Sequence, residues 1–283
     1  MPTIILIIVV SITSLLTLLF IYFLILVIIN KNNGSTDSDS ELNARLNPKN
    51  GYSLSYVNIL NVPDQGKLKS CGAVQISTLM SYYYYIQLNN TTILSALALY
   101  YYGRTINGDG SYIDNGGTID NYLNAINTYG LISENDWPYI QSDFYKKPYS
   151  SSSSSNSSNS STVFQPKLRW NTVDTNITTI KDFIKSGMPV LLDIIIYKSF
   201  TNPNLPGLIV VPNTNDSDSY VARHTVSLWG WDDDYATFIM LNTWGTSFGY
   251  KGWFFLPYDY ILKPSLSTQF FYNMSFIKNF TYV

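Results

Sequence analysis

The sequence predicts an α+β fold in which a helical half is followed by a strand-rich half. Up to about residue 187 the chain contains four apolar patterns of helical period, and from residue 190 short runs rich in β-branched and aromatic residues replace them. Hydrophobic residues make up 46% of the 283 residues, which is enough apolar material for a sizeable core. The change from helices to strands also suggests a cleft between the two halves. Clefts between subdomains are common places for active sites.

The first predicted helix covers residues 71–89, where apolar side chains form a stripe at Val74, Leu79, Tyr82 and Ile86. Further helices are predicted over residues 92–102, 118–129 and 177–186. Gly130 and Gly187 follow the last two segments, and glycine is the preferred residue just after a helix end. This reading places Cys71 at the start of the first helix.

The strand-rich half is predicted from runs of β-branched and aromatic residues. The predicted strands cover residues 190–197, 208–211, 225–231, 237–242 and 252–257. Each run is short, as expected for the strands of a compact sheet.

Residues 2–29 form a run without a charged side chain. At about 1.5 Å per residue a helix of this length crosses a hydrocarbon core of about 30 Å, so we predict a single-pass transmembrane anchor over residues 1–30, with a lipid bilayer as partner. A cleaved signal peptide is the alternative, but no basic residue precedes the run and no small-residue cleavage site closes it.

Residues 31–50 are polar and are predicted to be a flexible linker. Residues 51–283 form the main predicted domain, interrupted by a Ser/Asn-rich surface loop at residues 150–162. The side of the membrane stays open. Lys31 directly after the apolar run favours a cytoplasmic domain, whereas Asn-x-Ser/Thr sites such as Asn90 and Asn273 point to the other side.

The composition excludes several classes of function. A formal charge of −2 is too small to indicate a nucleic-acid partner. One cysteine and one histidine make neither an intrachain disulfide nor a usual zinc site, so we expect no metal. Residues 108–117 are glycine-rich but lack the lysine and the strand-to-helix context of a phosphate-binding loop, and we expect no cofactor.

The single Cys71 and the single His224 are instead suited to thiol catalysis, with Asn242 as a third member. A thiol reacts as its thiolate, and both a helix N-terminus and a nearby imidazolium favour that charge. Asn242 would orient the imidazole. Gln65 lies six residues before Cys71, and its side-chain amide would form an oxyanion hole with the Cys71 backbone N–H.

Four segments resemble the papain family of cysteine peptidases. Residues 64–73, DQGKLKSCGA, are similar to the family's nucleophile segment, including the Gln-to-Cys spacing, and residues 242–261, NTWGTSFGYKGWFFLPYDYI, resemble its Asn-Ser-Trp-Gly block and the strand that follows. Residues 115–118, NGGT, resemble its paired glycines, and residues 180–200 are similar to a segment of the bacterial and large-DNA-virus members. The resemblance spans about residue 52 to the C-terminus and is compatible with a viral origin.

The resemblance implies a papain-like fold with a helical subdomain and a β-barrel-like subdomain. It makes Cys71 the nucleophile and His224 the general base and then acid. It also implies that Trp244 shields the His224–Asn242 hydrogen bond from water, and that Gly116 and Gly117 bind the backbone of an extended peptide.

The sequence also departs from this family. An aromatic residue usually follows the nucleophile, where this chain has Gly72, and the family's upstream cysteine is replaced by Leu68. The other disulfide cysteines are missing too, which favours a reducing compartment or a virion-like setting. The linker is too short for the long inhibitory propeptide of secreted members.

The predicted function is therefore a membrane-anchored cysteine-type peptidase that hydrolyses peptide bonds, with a monomeric catalytic domain and a peptide or protein as substrate. Two alternatives stay open: an inactive papain-like peptide-binding protein, and a related Cys-dependent amidase or transglutaminase-like acyl transferase. The abundance of aromatic residues suggests an apolar substrate pocket.

Overall fold

The computed structural model describes residues 39–58, 61–109, 112–148, 163–164, 166–174, 176–201, 207–212, 220–263, 266 and 270–276. The predicted anchor at residues 1–30 and the Ser/Asn-rich loop at 150–162 lie outside these residues. Within the described ranges, no helix combines the length and the apolar character that a membrane crossing requires. Residues 39–46, in the segment predicted as a linker, are helical and form helix α1, with an ion pair of 3.1 Å between Glu41 and Arg45 one turn apart.

The compact unit Leu46–Val283 contains the remaining elements. Its helices are α2 (Cys71–Leu88), α3 (Ala96–Asn107), α4 (Ile119–Tyr129), α5 (Ile177–Lys185) and α6 (Tyr258–Leu262). Side-chain caps fix several of the starts: Ser95 accepts a hydrogen bond from the backbone N–H of Ala98, Thr118 from that of Asn121, and Asn176 from that of Thr178. The cap at Ser95 starts α3 later than the predicted residue 92.

The main sheet has seven strands, five of them from the half after residue 190, and every registered pair is antiparallel. Its order is β4-β9-β5-β6-β7-β8, and β1 pairs with β6. The strands are β1 (Gly51–Ser53), β4 (Leu168–Asp174), β5 (Val190–Tyr197), β6 (Tyr220–Asp232), β7 (Thr237–Leu241), β8 (Trp253–Pro257) and β9 (Phe270–Phe276). A separate pair joins β2 (Leu131–Ile132) to β3 (Val163–Phe164).

The observed strands match the predicted ones in part. β5 has the predicted bounds, and β6 extends the predicted 225–231 in both directions. The predicted strand at 208–211 is wrong, because only Leu208 forms a bridge there, to Phe255. Strands β4 and β9, which pair along their whole length, are additional to the prediction.

The two halves are joined by a buried polar bridge between α2 and the middle of the sheet. The side-chain amide of Gln75 donates to the carbonyl of Leu241 over 2.8 Å and accepts from the hydroxyl of Ser227 over 2.6 Å. Trp229 in turn donates its indole N–H to Ser227 over 2.7 Å. Because Gln75 and Ser227 are fully buried, these hydrogen bonds are costly to break, and they hold the first turns of α2 against β6 and β7.

Candidate active site

Cys71 is the first residue of α2, and its side chain is partly buried. The backbone N–H groups of a first helical turn have no acceptor within the helix, and they give this end a partial positive charge. The thiol therefore lies where a negative charge is favoured and where N–H groups are free to bind a second anion.

His224 lies on β6, directly opposite Ile194 of β5. Its Nε2–H donates to Oδ1 of Asn242 over 2.7 Å, and both side chains are buried. Asn242 follows the end of β7, and its Oδ1 also accepts from the backbone N–H of Thr243 over 2.8 Å. Because Nε2 is occupied in this way, Nδ1 is the ring nitrogen left for Cys71.

Cys71 and His224 perturb each other's ionisation. Burial alone raises the pKa of the Cys71 thiol, but the hydrogen bond and charge of His224, with contacts from Thr225, outweigh burial, so this pKa lies below its ordinary value. Burial alone lowers the pKa of His224, but the hydrogen bond and charge of Cys71 and the hydrogen bond with Asn242 raise it above its ordinary value. These opposite shifts favour a thiolate–imidazolium pair.

Trp244 packs against the imidazole ring. The two ring centroids are 4.9 Å apart, and the planes are tilted by 34°. Phe200 and Phe248 contact the other sides of the Trp244 indole. This aromatic cluster covers His224 where the resemblance implies a shield for its hydrogen bond to Asn242.

Gln65 is buried and held from two sides. Its backbone N–H donates to the carbonyl of Thr243 over 2.7 Å, and its side-chain oxygen accepts from the Thr243 hydroxyl. One of its two amide protons is used by the carbonyl of Leu68, at 2.7 Å. The Gln65 amide has a second proton, which is the donor that an oxyanion hole with the Cys71 N–H requires.

A tyrosine that the sequence analysis missed links the two sides of this predicted oxyanion hole. The Tyr139 hydroxyl lies 2.5 Å from Oγ of Ser70 and donates to the backbone carbonyl of Gln65 over 3.0 Å. Since a hydroxyl has one proton, Ser70 is the donor in the first of these bonds. Tyr139 thus connects the residue before Cys71 with Gln65.

Gly116 and Gly117 lie in the same groove as Cys71. Gly116 has φ +85°, a conformation that residues with a side chain rarely adopt, and a Cβ at Gly117 would lie 2.7 Å from the Tyr122 hydroxyl. The groove has a volume of about 520 Å³. Three of the four predicted catalytic residues line it, as do both glycines: Gln65, Cys71, His224, Gly116, Gly117 and also Trp244. The structure therefore brings together all the predicted catalytic and substrate-binding residues, with Asn242 hydrogen-bonded to His224 behind the groove.

The absent aromatic residue after Cys71 has a structural explanation. A Cβ at Gly72 would lie 2.7 Å from the Tyr122 ring, one at Gly103 2.2 Å and one at Gly117 2.8 Å, so that three glycines from different segments make room for one ring. Tyr122 is fully buried on α4. This ring fills the space beside the nucleophile that a side chain at position 72 would otherwise occupy.

The groove next to Cys71 is more polar than the aromatic composition suggested. Asp193 on β5 faces Thr225 of β6 in the register, and its Oδ1 accepts from the Thr225 hydroxyl over 2.6 Å. The only sequence signal for it is one acidic residue inside the apolar run VLLDIIIY. Among the described residues, no three His, Cys, Asp or Glu side chains come together as a metal site.

Comparisons with known proteins define the family. The family model "Papain family cysteine protease" matches residues 51–272. The chain therefore belongs to the papain family and is a cysteine peptidase.

Two relatives show how far the similarity extends. An uncharacterized peptidase C1-like protein of Acanthamoeba polyphaga mimivirus is 27% identical over 211 residues, which are 73% of this chain and 67% of that protein. Xylellain, a cysteine protease from Xylella fastidiosa, has 25% identity and a TM-score of 0.65, over 77% of this chain and 83% of its own.

A third relative shares the fold alone. Digestive procathepsin L 3 of the Tenebrio molitor larval midgut has 18% identity and a TM-score of 0.58, over 80% of this chain and 69% of its own. The mixed α+β papain-like fold predicted from the sequence is thus confirmed.

Proposed function

We propose that this cysteine peptidase hydrolyses peptide bonds with Cys71 as nucleophile, His224 as base and acid, and Asn242 as the residue that orients His224. The observation that carries the proposal is the 2.7 Å hydrogen bond from Nε2 of His224 to Asn242, which leaves Nδ1 as the ring nitrogen available to Cys71, whose thiol His224 contacts. An imidazole held at one nitrogen can exchange a proton only at the other, which is what a nucleophile–base pair requires.

In the proposed reaction the Cys71 thiolate attacks the peptide carbonyl carbon, and the carbonyl oxygen takes up the negative charge. The Cys71 N–H and the Gln65 amide donate to that oxygen. The protonated His224 then gives its Nδ1 proton to the leaving amine, and the C–N bond breaks to leave a thioester on Cys71. A water molecule loses a proton to His224 as it attacks the thioester carbon, and the C–S bond breaks to release the carboxylic acid and restore the thiolate–imidazolium pair.

The proposed activity is tested by treating the full-length chain with a thiol-directed epoxide inhibitor and measuring its intact mass. We expect one adduct on wild type, and because Cys71 is the only cysteine, its position needs no mapping. The adduct should be absent in Cys71→Ser and slowed at least 100-fold in His224→Ala at neutral pH. Peptide hydrolysis should disappear in both variants.

The matched control is Ser142→Ala, an exposed hydroxyl outside the groove, which should keep wild-type rates. A folded wild-type chain that neither reacts with the epoxide nor cleaves any peptide of a mixed library would contradict the proposed activity.

We further propose that residues 2–29 anchor the enzyme in a bilayer as a single span and that the catalytic domain acts as a monomer. The support is the uncharged apolar run itself. The full chain should stay in the membrane fraction after an alkaline wash, and the double substitution Leu15→Arg, Leu18→Arg should release it. Glycosylation at Asn90 in a cell-free system with microsomes would report a lumenal domain, and its absence a cytoplasmic one.

A further inference from the structure

Asp193 is an ionisable side chain of the groove that has no part in the proposed reaction. Asp193 lines the groove together with Cys71, His224 and Thr225. Its carboxylate accepts the Thr225 hydroxyl proton over 2.6 Å, and Thr225 in turn contacts the Cys71 thiol. The carboxylate is therefore separated from the candidate nucleophile by a single residue, at a place where a bound peptide has to pass.

The charges around Asp193 differ in their exposure. The groove is also lined by Lys69, Arg223 and Asp109, and the first two of these are exposed to solvent. Water and salt screen exposed charges, whereas a partly buried carboxylate such as that of Asp193 acts on its neighbours with less screening. Asp193 thus presents a partly buried negative charge to a substrate side chain on this wall, opposite in sign to the exposed Lys69 and Arg223.

The ionisation of Asp193 agrees with this placement. Burial raises its pKa above the ordinary value and the charge of Asp120 acts in the same direction, whereas the Thr225 hydrogen bond and the charges of Arg223 and His224 lower it. A cation supplied by a ligand at this position would favour the charged form of the carboxylate.

We propose that Asp193 makes this groove selective for peptides that carry a Lys or Arg side chain next to the scissile bond. The inference rests on the proposed peptidase function and adds the class of substrate. A cationic side chain that enters beside Thr225 would form a charge-assisted hydrogen bond with the carboxylate, and arginine can form two. Apolar side chains would bury the carboxylate further without pairing it, so they are disfavoured.

A purely structural role for Asp193 makes a different prediction. A cross-strand Asp193–Thr225 pair that only stabilises the sheet affects all substrates equally when it is removed. A specificity role changes the ratio between substrates that differ in one side chain. That ratio is measured within one variant, so any general loss of activity cancels.

The test uses full-length enzyme and fluorogenic peptides that are identical except for Arg, Leu or Glu at one position, scanned over the positions on both sides of the cleaved bond. At one position, wild type should show kcat/KM for Arg at least tenfold above Leu, and Glu lowest. Asp193→Asn should bring the Arg-to-Leu ratio close to one. The control Asp109→Asn removes another groove carboxylate and should keep the wild-type ratio.

A binding measurement makes the result independent of turnover. The Cys71→Ala variant should bind the Arg peptide more tightly than the Leu peptide in fluorescence anisotropy, and the double variant Cys71→Ala, Asp193→Asn should lose this difference. Equal binding and equal kcat/KM for Arg and Leu in wild type would overturn the proposal, as would a preference that survives in Asp193→Asn. Failure of the proposed function is distinct, because it abolishes epoxide labelling of Cys71 and leaves the binding preference intact.

Discussion

Cys71 and His224 reach the same groove from two kinds of support. Cys71 begins a helix that is buried along most of its length, whereas His224 lies inside a strand that is hydrogen-bonded to β5 on one side and to β7 on the other. Apolar packing around α2 is not directional, so it fixes the position of the Cys71 sulfur but not the orientation of a side chain. A strand register and the bond to Asn242 are directional, so they fix how the ring is turned. The helical side provides position and the sheet side provides orientation.

The largest expected effect comes from removing the hydrogen bond that orients His224 on the sheet side. In Asn242→Ala the imidazole loses the acceptor at Nε2, and both ring tautomers and orientations become accessible. We expect kcat to fall about 100-fold with little change in KM, because the lost interaction is one that holds the base.

In Asn242→Ala the helical side, including the position of Cys71, should be unchanged. Gln75 and Ser227 still hold α2 in place, so the melting temperature should stay close to wild type. A variant with wild-type kcat would show that Asn242 does not orient His224.

The second prediction breaks the bridge between the two sides. Gln75→Leu leaves the Ser227 hydroxyl and the Leu241 carbonyl buried without their partner, which costs about 1–3 kcal/mol of stability. The melting temperature should drop by several degrees. Gln87→Leu, an exposed position on the same helix, is the control and should melt like wild type. Equal melting of both variants would mean that the bridge contributes nothing.

The third prediction concerns the helical side. Tyr139→Phe removes the hydroxyl that joins Ser70 to the carbonyl of Gln65. We expect peptide hydrolysis to slow about tenfold, less than the loss of an oxyanion donor itself. Alkylation of Cys71 by iodoacetamide should be unchanged, since that reaction forms no oxyanion.

This pair of measurements separates positioning from folding. A merely structural defect would slow alkylation and hydrolysis together. Tyr112→Phe, at an exposed position, serves as the control and should leave both rates at the wild-type value. Combined with Gln65→Ala, the Tyr139→Phe change should have little further effect on hydrolysis.

The smallest expected effect is on the pH dependence of stability. Burial raises the pKa of Glu134 to about 7, although its hydrogen bond with the backbone N–H of Tyr139 acts in the opposite direction. The folded state therefore holds a proton that the unfolded chain releases at lower pH, and stability falls as the pH rises from about 4.5 to 7. Glu134→Gln keeps an acceptor for Tyr139 and should flatten this fall.

Thermal melts between pH 4 and 8 measure the difference. Glu134→Gln should melt higher than wild type at pH 8 and equally at pH 4. The control Asp182→Asn replaces an exposed carboxylate on α5 and should follow the wild-type curve. Parallel curves for Glu134→Gln and wild type would rule out a buried, proton-linked Glu134.

The sequence predicts the helical side better than the sheet, for a physical reason. Helix caps and breakers act over a few residues, so the ends of α4 and α5 are visible locally as Thr118, Gly130 and Gly187. The pairing of β4 with β9 joins segments about a hundred residues apart, and no local pattern encodes it. The predicted strand at 208–211 has the right composition, but among the described residues its one bridge joins Leu208 to Phe255.

The same contrast applies to the site. Cys71, His224, Asn242 and Gln65 are visible because their residue types are chemically special and their segments resemble a family. Tyr139 is one of 24 tyrosines, and only the three-dimensional structure places its hydroxyl between Ser70 and Gln65. The sequence indicates Asp193 only weakly, as a single charged residue within an apolar strand.

The three glycines around Tyr122 have a consequence for how this chain can change over evolutionary time. Gly72, Gly103 and Gly117 belong to different segments, yet each is limited by the same ring. A larger residue at any of them is excluded as long as position 122 carries an aromatic side chain, and it becomes acceptable once that side chain is small. A lineage of this enzyme could acquire an aromatic residue after its nucleophile only by first replacing Tyr122 with a smaller residue, so these four positions are expected to vary as a set.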